Sequence, residues 1–216
     1  MPLTANVLLA AAAGYLLGSV SFAVVVSRLM RLPDPRSYGS KNPGATNVLR
    51  TGNKAAALLT LAGDALKGFA AVLLALAYLP EAAPYVGVAA FLGHLYPVFH
   101  RFQGGKGVAT AAGVLFGFDA WLGLGTLATF AMLVAFFRYV SLASMVAAIF
   151  AVFFSWFLKL SLATTIAVGV MALLLVWRHR ENVARLAAGT ESKLGAKKPT
   201  QTPDSPSESP PNSSAA

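Results

Sequence analysis

The chain has 216 residues, of which 56% are hydrophobic and only 12% are charged, and its formal net charge is +9. Soluble domains carry about 25% charged residues, so this composition, with its long uncharged runs, indicates an integral membrane protein. Net positive charge would suggest nucleic-acid binding in a soluble protein. Here the basic residues flank apolar runs, which membrane topology explains, and no nucleic acid is expected. The absence of cysteine excludes disulfides and thiolate catalysis.

The first predicted span, residues 3–27, carries no charge and is long enough to cross roughly 30 Å of hydrocarbon. Arg28 and Arg31 follow it directly. This predicts that the span ends inside the cell and that the N-terminus lies outside. Gly14 and Gly18 have the spacing that lets another helix pack closely.

The second predicted span, residues 55–79, contains two ionisable residues, Asp64 and Lys67. They are three positions apart, so a helix places them on one face, and ionisable groups within a span are costly. Two explanations remain open. The residues form a mutually neutralising pair used in packing, or they support a polar site.

Two apolar segments, residues 85–99 and 108–118, are short for spans. Discarding both would leave five spans and would place the basic loop between them outside. Counting both gives seven and leaves nearly every Lys and Arg on the cytoplasmic side, as the positive-inside rule requires. The sequence therefore predicts an all-α integral membrane protein with seven transmembrane helices, an external N-terminus and a cytoplasmic C-terminus. One short segment is expected to be a broken or partly re-entrant helix.

The C-terminal composition separates two regions. Residues 1–195 are expected to form one polytopic membrane domain. Residues 196–216 are rich in Pro, Ser and Thr with almost no apolar residues, which predicts a disordered tail.

Residues 100–110, which read HRFQGGKGVAT, have the features of a phosphate site. Glycines adopt positive φ readily, so their N–H groups can converge on an anion, and Lys106 adds a positive charge. A helix starting at about Val108 would add free N–H groups. The stretch is not a P-loop, because Gly107 rather than Ser or Thr follows the lysine.

The seven-span topology gathers four polar clusters on one membrane face. They are residues 39–47 (GSKNPGATN) with Arg50, the glycine-rich stretch, residues 138–144 and residues 178–193. In the first cluster Gly44 is expected to turn the backbone into a nest of donors. In the fourth, His179, Asn182 and Arg185 would share one face of a helix continuing the last span.

These clusters suggest a chemistry. Two loops with glycines and cations could hold two phosphates, and their place at the membrane suggests that one substrate carries a lipid chain. His94 and His100 are expected to be interfacial or supporting residues. No compact ligand set such as His-Glu-x-x-His occurs, so neither a metal nor a cofactor is expected.

Four motifs carry a resemblance: residues 40–50 (SKNPGATNVLR), Gly93-His94-x-Tyr96-Pro97, residues 104–110 (GGKGVAT) and Arg178-His179-x-x-Asn182-x-x-Arg185-Leu186. In order and spacing they resemble the bacterial acyl-phosphate:glycerol-3-phosphate acyltransferases, the PlsY family. The similarity runs from about residue 5 to 195. Lys41 is a departure, because many members have glycine there.

The resemblance implies a seven-helix inner-membrane enzyme whose site opens to the cytoplasm. It would transfer a fatty acyl group from acyl phosphate to the 1-hydroxyl of sn-glycerol 3-phosphate, giving lysophosphatidic acid and phosphate, the first acylation in bacterial phospholipid synthesis. Membrane lipid would surround it, and a partner enzyme, PlsX, would supply the acyl phosphate. A transporter for an anionic phosphorylated metabolite and a phospholipid phosphatase are the alternatives.

The resemblance also implies residue roles. The candidate catalytic residues are Ser40, Arg50, Lys106, Ser141, His179 and Asn182, and the candidate substrate-binding residues are Asn42, Gly44, Thr46, Asn47, Gly104, Gly105, Gly107, Arg185 and Glu191. The first cluster would hold the donor's phosphate and the glycine-rich stretch that of glycerol phosphate. His179 and Asn182 would orient the attacking hydroxyl, with Ser141 and Glu191 in support. Either His179 or the donor's own phosphate would accept the proton.

Overall fold

The computed structural model describes residues 4–195, which form an all-α fold as predicted. The α-helices are α1 (Ala5–Gly18), α2 (Phe22–Leu29), α3 (Ala45–Val48), α4 (Lys54–Tyr78), α5 (Ala83–Leu95), α6 (Val108–Phe118), α7 (Ala120–Phe137), α8 (Val140–Phe157), α9 (Leu162–Arg178) and α10 (Arg180–Ala187). Short 3-10 helices occupy Leu49–Thr51, Pro80–Ala82 and Val98–His100. The tail expected at residues 196–216 lies outside the described residues.

Within this described range, five stretches are long and apolar enough to cross a membrane: Ala5–Leu29, Lys54–Tyr78, Pro80–His100, Ala120–Phe137 and Val140–Phe157. The apolar α9 adds a sixth when it is counted with α10, which it meets at a bend of 55°. Helix α6 has 11 residues and is therefore only about 16 Å long, roughly half the hydrocarbon thickness. The segment expected at 85–99 is longer than predicted, because the residues from Pro80 onward extend it to a stretch of 21 residues, long enough for a span. The seven-span topology and the orientation of the termini stay predictions.

The first predicted span contains a break between two helices. Helix α1 ends at Gly18 and α2 begins at Phe22. At the break the carbonyl of Val20 accepts a hydrogen bond of 2.6 Å from Lys67 Nζ of α4. A side chain that binds a main-chain carbonyl in this way is a recognised cause of helix breaks.

Glycines allow the closest helix contacts. A Cβ on Gly18 would overlap the carbonyl of Ala90 in α5, and one on Gly14 would lie 2.9 Å from Val86 Cγ1. The predicted close packing of another helix against this glycine pair is therefore confirmed. Helices α4 and α6 approach in the same way, because a Cβ on Gly113 would overlap the carbonyl of Ala65.

The core lies between α1, α4, α5 and α6, where Val72, Phe91, Leu95 and Val114 are fully buried. The outer surface carries large exposed apolar side chains, among them Leu58, Trp121, Phe136, Phe153 and Trp156. Apolar exposure on this scale fits a lipid-facing surface. The central packing fixes the C-terminal end of α5 and the N-terminal end of α6 next to each other, and the glycine-rich stretch connects them.

Candidate active site

The four polar clusters expected on one face meet at one end of the helix bundle. Arg178, at the end of α9, donates from Nη2 to the carbonyls of Gly104 at 3.0 Å and Gly105 at 3.1 Å. Residues 39–47 reach the same loop, since a Cβ on Gly105 would lie 2.7 Å from the carbonyl of Pro43. From its sequence position, Arg178 would be only a basic residue at the cytoplasmic end of a span. The structure gives it a second role, because its two hydrogen bonds hold the glycine loop (residues 104–107) in place.

The glycine loop packs directly on α5. A Cβ on Gly104 would overlap the carbonyl of His94, and one on Gly105 would overlap His94 Nε2. Gly107 has φ +83°, and a Cβ there would overlap the ring of Phe91. The N–H of Gly105 donates to the His94 carbonyl at 3.1 Å. The expectation that the loop N–H groups converge on an anion is therefore wrong for Gly105.

The start of α6 agrees with the prediction. The helix begins at Val108 with Gly107 as its N-cap, and no side chain among residues 4–195 caps it. The N–H groups of its first turn are therefore available to an anion, which the helix dipole also favours. Lys106 lies immediately before this terminus.

Lys106 and Glu191 lie at opposite ends of a side-chain network. Lys106 Nζ donates to Asn182 Oδ1, and Asn182 Nδ2 donates to Glu191 Oε1 at 2.6 Å. The Ser141 hydroxyl donates to the same carboxylate oxygen at 2.6 Å, and Arg185 Nε donates to Glu191 Oε2 at 2.7 Å. The structure thus brings together five residues that the sequence analysis selected from three separate regions.

The chain after α10 is what places Glu191. The N–H of Leu194 donates to the carbonyl of Arg138 at 2.7 Å, and the Arg138 guanidinium returns a hydrogen bond of 2.7 Å to the Leu194 carbonyl. Lys193 lies 5.4 Å from the ring centre of Tyr139. This docking sets the Glu191 carboxylate beside the first turn of α8, where the helix dipole stabilises it. No sequence pattern signals this contact.

Two groups of the network have shifted pKa values. Burial alone would raise the pKa of Glu191, but hydrogen bonds from Ser141, Asn182 and Arg185 outweigh it and hold the pKa below its usual range. Burial lowers the pKa of Lys106 to about 8. Arg185 and Arg178 contribute to this lowering of the pKa, whereas Glu191 and Glu181 oppose it. The network thus holds an ionised carboxylate and a lysine that is mostly protonated at neutral pH.

His179 lies in the bend that follows the apolar α9, so the expected straight continuation of the last span is wrong. Asn182 and Arg185 do share a face, because both bind Glu191. The His179 ring is buried, and its Nδ1 lies 2.8 Å from the Leu175 carbonyl. A carbonyl only accepts, so Nδ1 carries the proton and Nε2 is an acceptor. Burial lowers the pKa of His179 to about 4, so the ring is neutral at physiological pH.

In the first cluster, Asn47 holds the loop together. Its Oδ1 accepts from the N–H of Ser40 at 3.1 Å, and its Nδ2 donates to the carbonyls of Pro35 at 2.7 Å and Tyr38 at 3.2 Å. Both ends of the amide are therefore used within the loop. Asn47 was expected to bind substrate, but in the structure it fixes the conformation of the loop that contains the other candidate residues.

The turn in this loop comes from other residues than expected. Gly44 is extended, with φ −168° and ψ 163°, so the expectation that it turns the backbone is wrong. Gly39, at φ +58°, and Lys41, at φ +54°, adopt the left-handed conformation instead. This explains why glycine suits position 41. A Cβ on Gly44 would meet nothing within 4 Å.

The remaining candidate substrate-binding and catalytic residues of this loop are at least partly accessible to solvent. Ser40, Thr46 and Arg50 are exposed, and Asn42 is half-buried. The Arg50 side chain packs on Gly39, since a Cβ there would lie 3.0 Å from Arg50 Cδ. These residues are positioned beside the glycine loop through the contact at Pro43.

Comparisons with known proteins agree with this site. A family model described as glycerol-3-phosphate acyltransferase matches residues 8–189. The chain is 61% identical over 200 residues to the glycerol-3-phosphate acyltransferase of Cupriavidus necator, covering 90% of this chain and 98% of that protein. It is 62% identical over 197 residues to that of Burkholderia multivorans, covering 89% and 93%.

The fold of this chain is similar to that of PlsY (YgiH), an integral membrane glycerol 3-phosphate acyltransferase, as seen in two crystal structures. The TM-score is 0.84 at 38% identity for the glycerol 3-phosphate form and 0.83 at 37% identity for the lysophosphatidic acid form. Each match covers 88% of this chain and 96% of the other.

Proposed function

This chain belongs to the glycerol-3-phosphate acyltransferase family, and we propose that its donor is an acyl phosphate. The chain is an enzyme that acylates glycerol 3-phosphate. The reaction moves a fatty acyl group from acyl phosphate to the 1-hydroxyl of sn-glycerol 3-phosphate, and it yields lysophosphatidic acid and inorganic phosphate. The hydrogen-bonded network from Lys106 through Asn182 to Glu191, beside the glycine loop, is the observation that carries the proposal.

Glycerol 3-phosphate binds with its phosphate at the start of α6. Lys106 supplies positive charge there, and the uncapped first turn supplies N–H donors. The donor's phosphate binds at Ser40 to Thr46 with Arg50. The contact between Pro43 and Gly105 supports this arrangement, because it brings the two phosphate sites side by side.

The chemistry needs orientation and charge stabilisation more than a nucleophilic side chain. The 1-hydroxyl oxygen attacks the carbonyl carbon of the acyl phosphate, a C–O ester bond forms, and the C–O bond to the leaving phosphate breaks. An acyl phosphate is a mixed anhydride with a good leaving group, so preorganised donors and cations suffice. Lys106 and Arg50 offset the phosphate charges, and Asn182 is held in place by Glu191 to orient the acceptor.

The hydroxyl proton passes to the donor's phosphate. His179, with a pKa of about 4, binds a proton weakly at neutral pH, whereas the donor's phosphate gains negative charge, and with it affinity for a proton, as its bond to the acyl carbon breaks. The unprotonated Nε2 of His179 accepts a hydrogen bond from this hydroxyl when glycerol 3-phosphate binds and so orients it, and the single proton turns to the donor's phosphate as the ester bond forms.

The enzyme lies in the bacterial inner membrane with the site facing the cytoplasm. The basic residues of all four polar clusters lie at one end of the bundle, which supports this orientation. Acyl phosphates are reactive, so an enzyme that makes them, PlsX, is the expected functional partner. The transporter alternative is suggested by seven spans, paired glycine loops and the presence of Asp64 and Lys67 within a span. The last of these supports is weak, because Asp64 and Lys67 are occupied by their own hydrogen bonds.

The test measures phosphate release by the purified protein from palmitoyl phosphate, with and without glycerol 3-phosphate. We expect release that requires the acceptor, matches lysophosphatidic acid formation and falls by about 100- to 1000-fold in Lys106→Ala. Lys54→Ala, which removes an exposed lysine at the start of α4, is the matched control and should behave as wild type. Release without acceptor would instead identify a phosphatase, and acceptor binding without release would favour transport.

A further inference from the structure

Directly beneath the glycine loop is a buried polar cluster that the mechanism above does not use. It consists of Asp64 and Lys67 on α4, His94 on α5 and Thr110 on α6, whose residues are 2%, 3%, 7% and 0% exposed. Burying charges is expensive even when they are paired. A pair whose only purpose was packing could be replaced by apolar side chains.

Lys67 connects three elements through its ammonium group. Its Nζ donates to Asp64 Oδ1 at 2.7 Å, to the Val20 carbonyl at 2.6 Å and to His94 Nδ1 at 3.0 Å. These three bonds use all the donors of an ammonium. Lys67 thereby ties the break in the first span to α4 and to α5.

The same contacts set the orientation of His94. Because an ammonium can only donate, His94 Nδ1 accepts, and the neutral ring carries its proton on Nε2. Thr110 Oγ1 lies 3.0 Å from the same Nδ1, and Asp64 Oδ1 lies 3.5 Å from it. Residues of α4 and α6 therefore fix the plane and the tautomer of the imidazole on α5.

His94 in turn contacts the glycine loop, so its fixed orientation constrains the position of that loop. Its carbonyl accepts a hydrogen bond from the N–H of Gly105, and its Nε2 is so close to Gly105 that a Cβ there would overlap it. Arg178 binds the carbonyl of the same glycine from the other side. Lys106, the next residue, carries the ammonium that the proposed reaction requires.

We propose that Asp64, Lys67 and Thr110 are positioning residues for acyl transfer, which act by holding His94 against Gly105 and so set the place of Lys106. This inference rests on the proposed function for the role of Lys106. Neither Asp64 nor Lys67 needs to contact a substrate. Their contribution is the geometry of the loop, where a displacement of about 1 Å can cost on the order of 100-fold in rate.

The test uses two fully buried threonines. Thr110→Val removes the hydroxyl near His94 at nearly constant volume, whereas Thr60→Val removes a buried hydroxyl of α4 that has no hydrogen-bond partner among residues 4–195. Thr110→Ser keeps the hydroxyl. A fourth variant, Asp64→Leu with Lys67→Met, removes both charges together so that neither is left unpaired. For each we would measure the melting temperature, kcat/KM for glycerol 3-phosphate and its dependence on pH.

We expect Thr110→Val and the double variant to keep their melting temperatures while kcat/KM falls by about 10- to 100-fold. The alkaline limb of the pH profile should move upward, because a displaced Lys106 is better hydrated and titrates closer to its ordinary pKa. Thr110→Ser and Thr60→Val should match wild type. A packing role alone would not move the pH profile of a folded variant.

Wild-type kcat/KM in folded Thr110→Val and in the folded double variant would overturn the proposal. So would unfolding of Thr110→Val while Thr110→Ser stays folded, because the hydroxyl would then serve stability alone. If only the double variant fails to fold, the threonine series decides. If wild type makes no lysophosphatidic acid, it is the proposed function that fails. The positioning role is then tested by glycerol 3-phosphate affinity, which should be weaker in Thr110→Val and in the double variant than in wild type.

Discussion

The two loops expected to hold phosphate differ in what surrounds their glycines. In the glycine loop, side chains at Gly104, Gly105 and Gly107 would each overlap α5. In the first cluster, Gly39 is enclosed in the same way, because a Cβ there would overlap Asn47 Oδ1, but a side chain at Gly44 would meet nothing within 4 Å. Glycines of the first kind are required by the protein's own packing. A requirement for Gly44 would have to come from a bound substrate.

The strongest test of this difference is Gly105→Ala. The added methyl would overlap His94 Nε2 and lie 2.7 Å from the Pro43 carbonyl, so the loop must move. We expect loss of measurable acyl transfer and a lower melting temperature, since overpacking costs about 1–3 kcal/mol. Gly169→Ala, at a glycine with nothing within 4 Å, is the control. A stable, active Gly105→Ala would show that the loop tolerates displacement.

The two loops also differ in how their cations are placed, because Lys106 is half-buried whereas Arg50 is exposed. Lys106→Ala should lower kcat/KM by about 100- to 1000-fold, the usual effect of removing one preorganised donor. In wild type, kcat/KM should fall as pH rises through about 8, because burial lowers the pKa of Lys106 to about 8 and the protonated form is the active one. Lys106→Arg should lose this alkaline limb, because a guanidinium does not titrate there. A limb that persists in Lys106→Arg would belong to another group.

His179→Gln tests whether the phosphate held by the first cluster receives the proton. We expect kcat to fall by less than about 100-fold, the lower end of what loss of a general base costs. Glutamine still offers an acceptor for the hydroxyl. Complete loss of turnover with unchanged affinity for both substrates would make His179 the base.

The smallest expected effect is that of Gly44→Ala. The backbone there is extended, so alanine fits without strain, and the melting temperature should not change. If the donor's phosphate lies against Gly44, KM for acyl phosphate should rise by about 10-fold while KM for glycerol 3-phosphate stays constant. Unchanged KM for both substrates would place the donor elsewhere.

Much of the fold and of the site was predictable because it depends on local patterns. Long uncharged runs coincide with helices that are long and apolar enough to cross a membrane, and the Gly14–Gly18 spacing predicts a close helix contact. The glycines before Val108 predict the start of α6. Site candidates from three regions proved to share one network around Glu191, because the polar clusters follow or precede spans at the same end of the bundle.

The sequence by itself determined that this is a helical membrane protein with a cationic, glycine-rich site between its spans. Only the tertiary structure decided where the helices break and which polar atoms remain available. Lys67 binds the Val20 carbonyl 47 positions away, Arg138 holds Leu194 56 positions away, and Asn47 uses its amide within its own loop. Such contacts join residues distant along the chain or depend on the exact path of a loop. Hydrophobic periodicity and glycine spacing, which report on neighbours along the chain, carry no information about them.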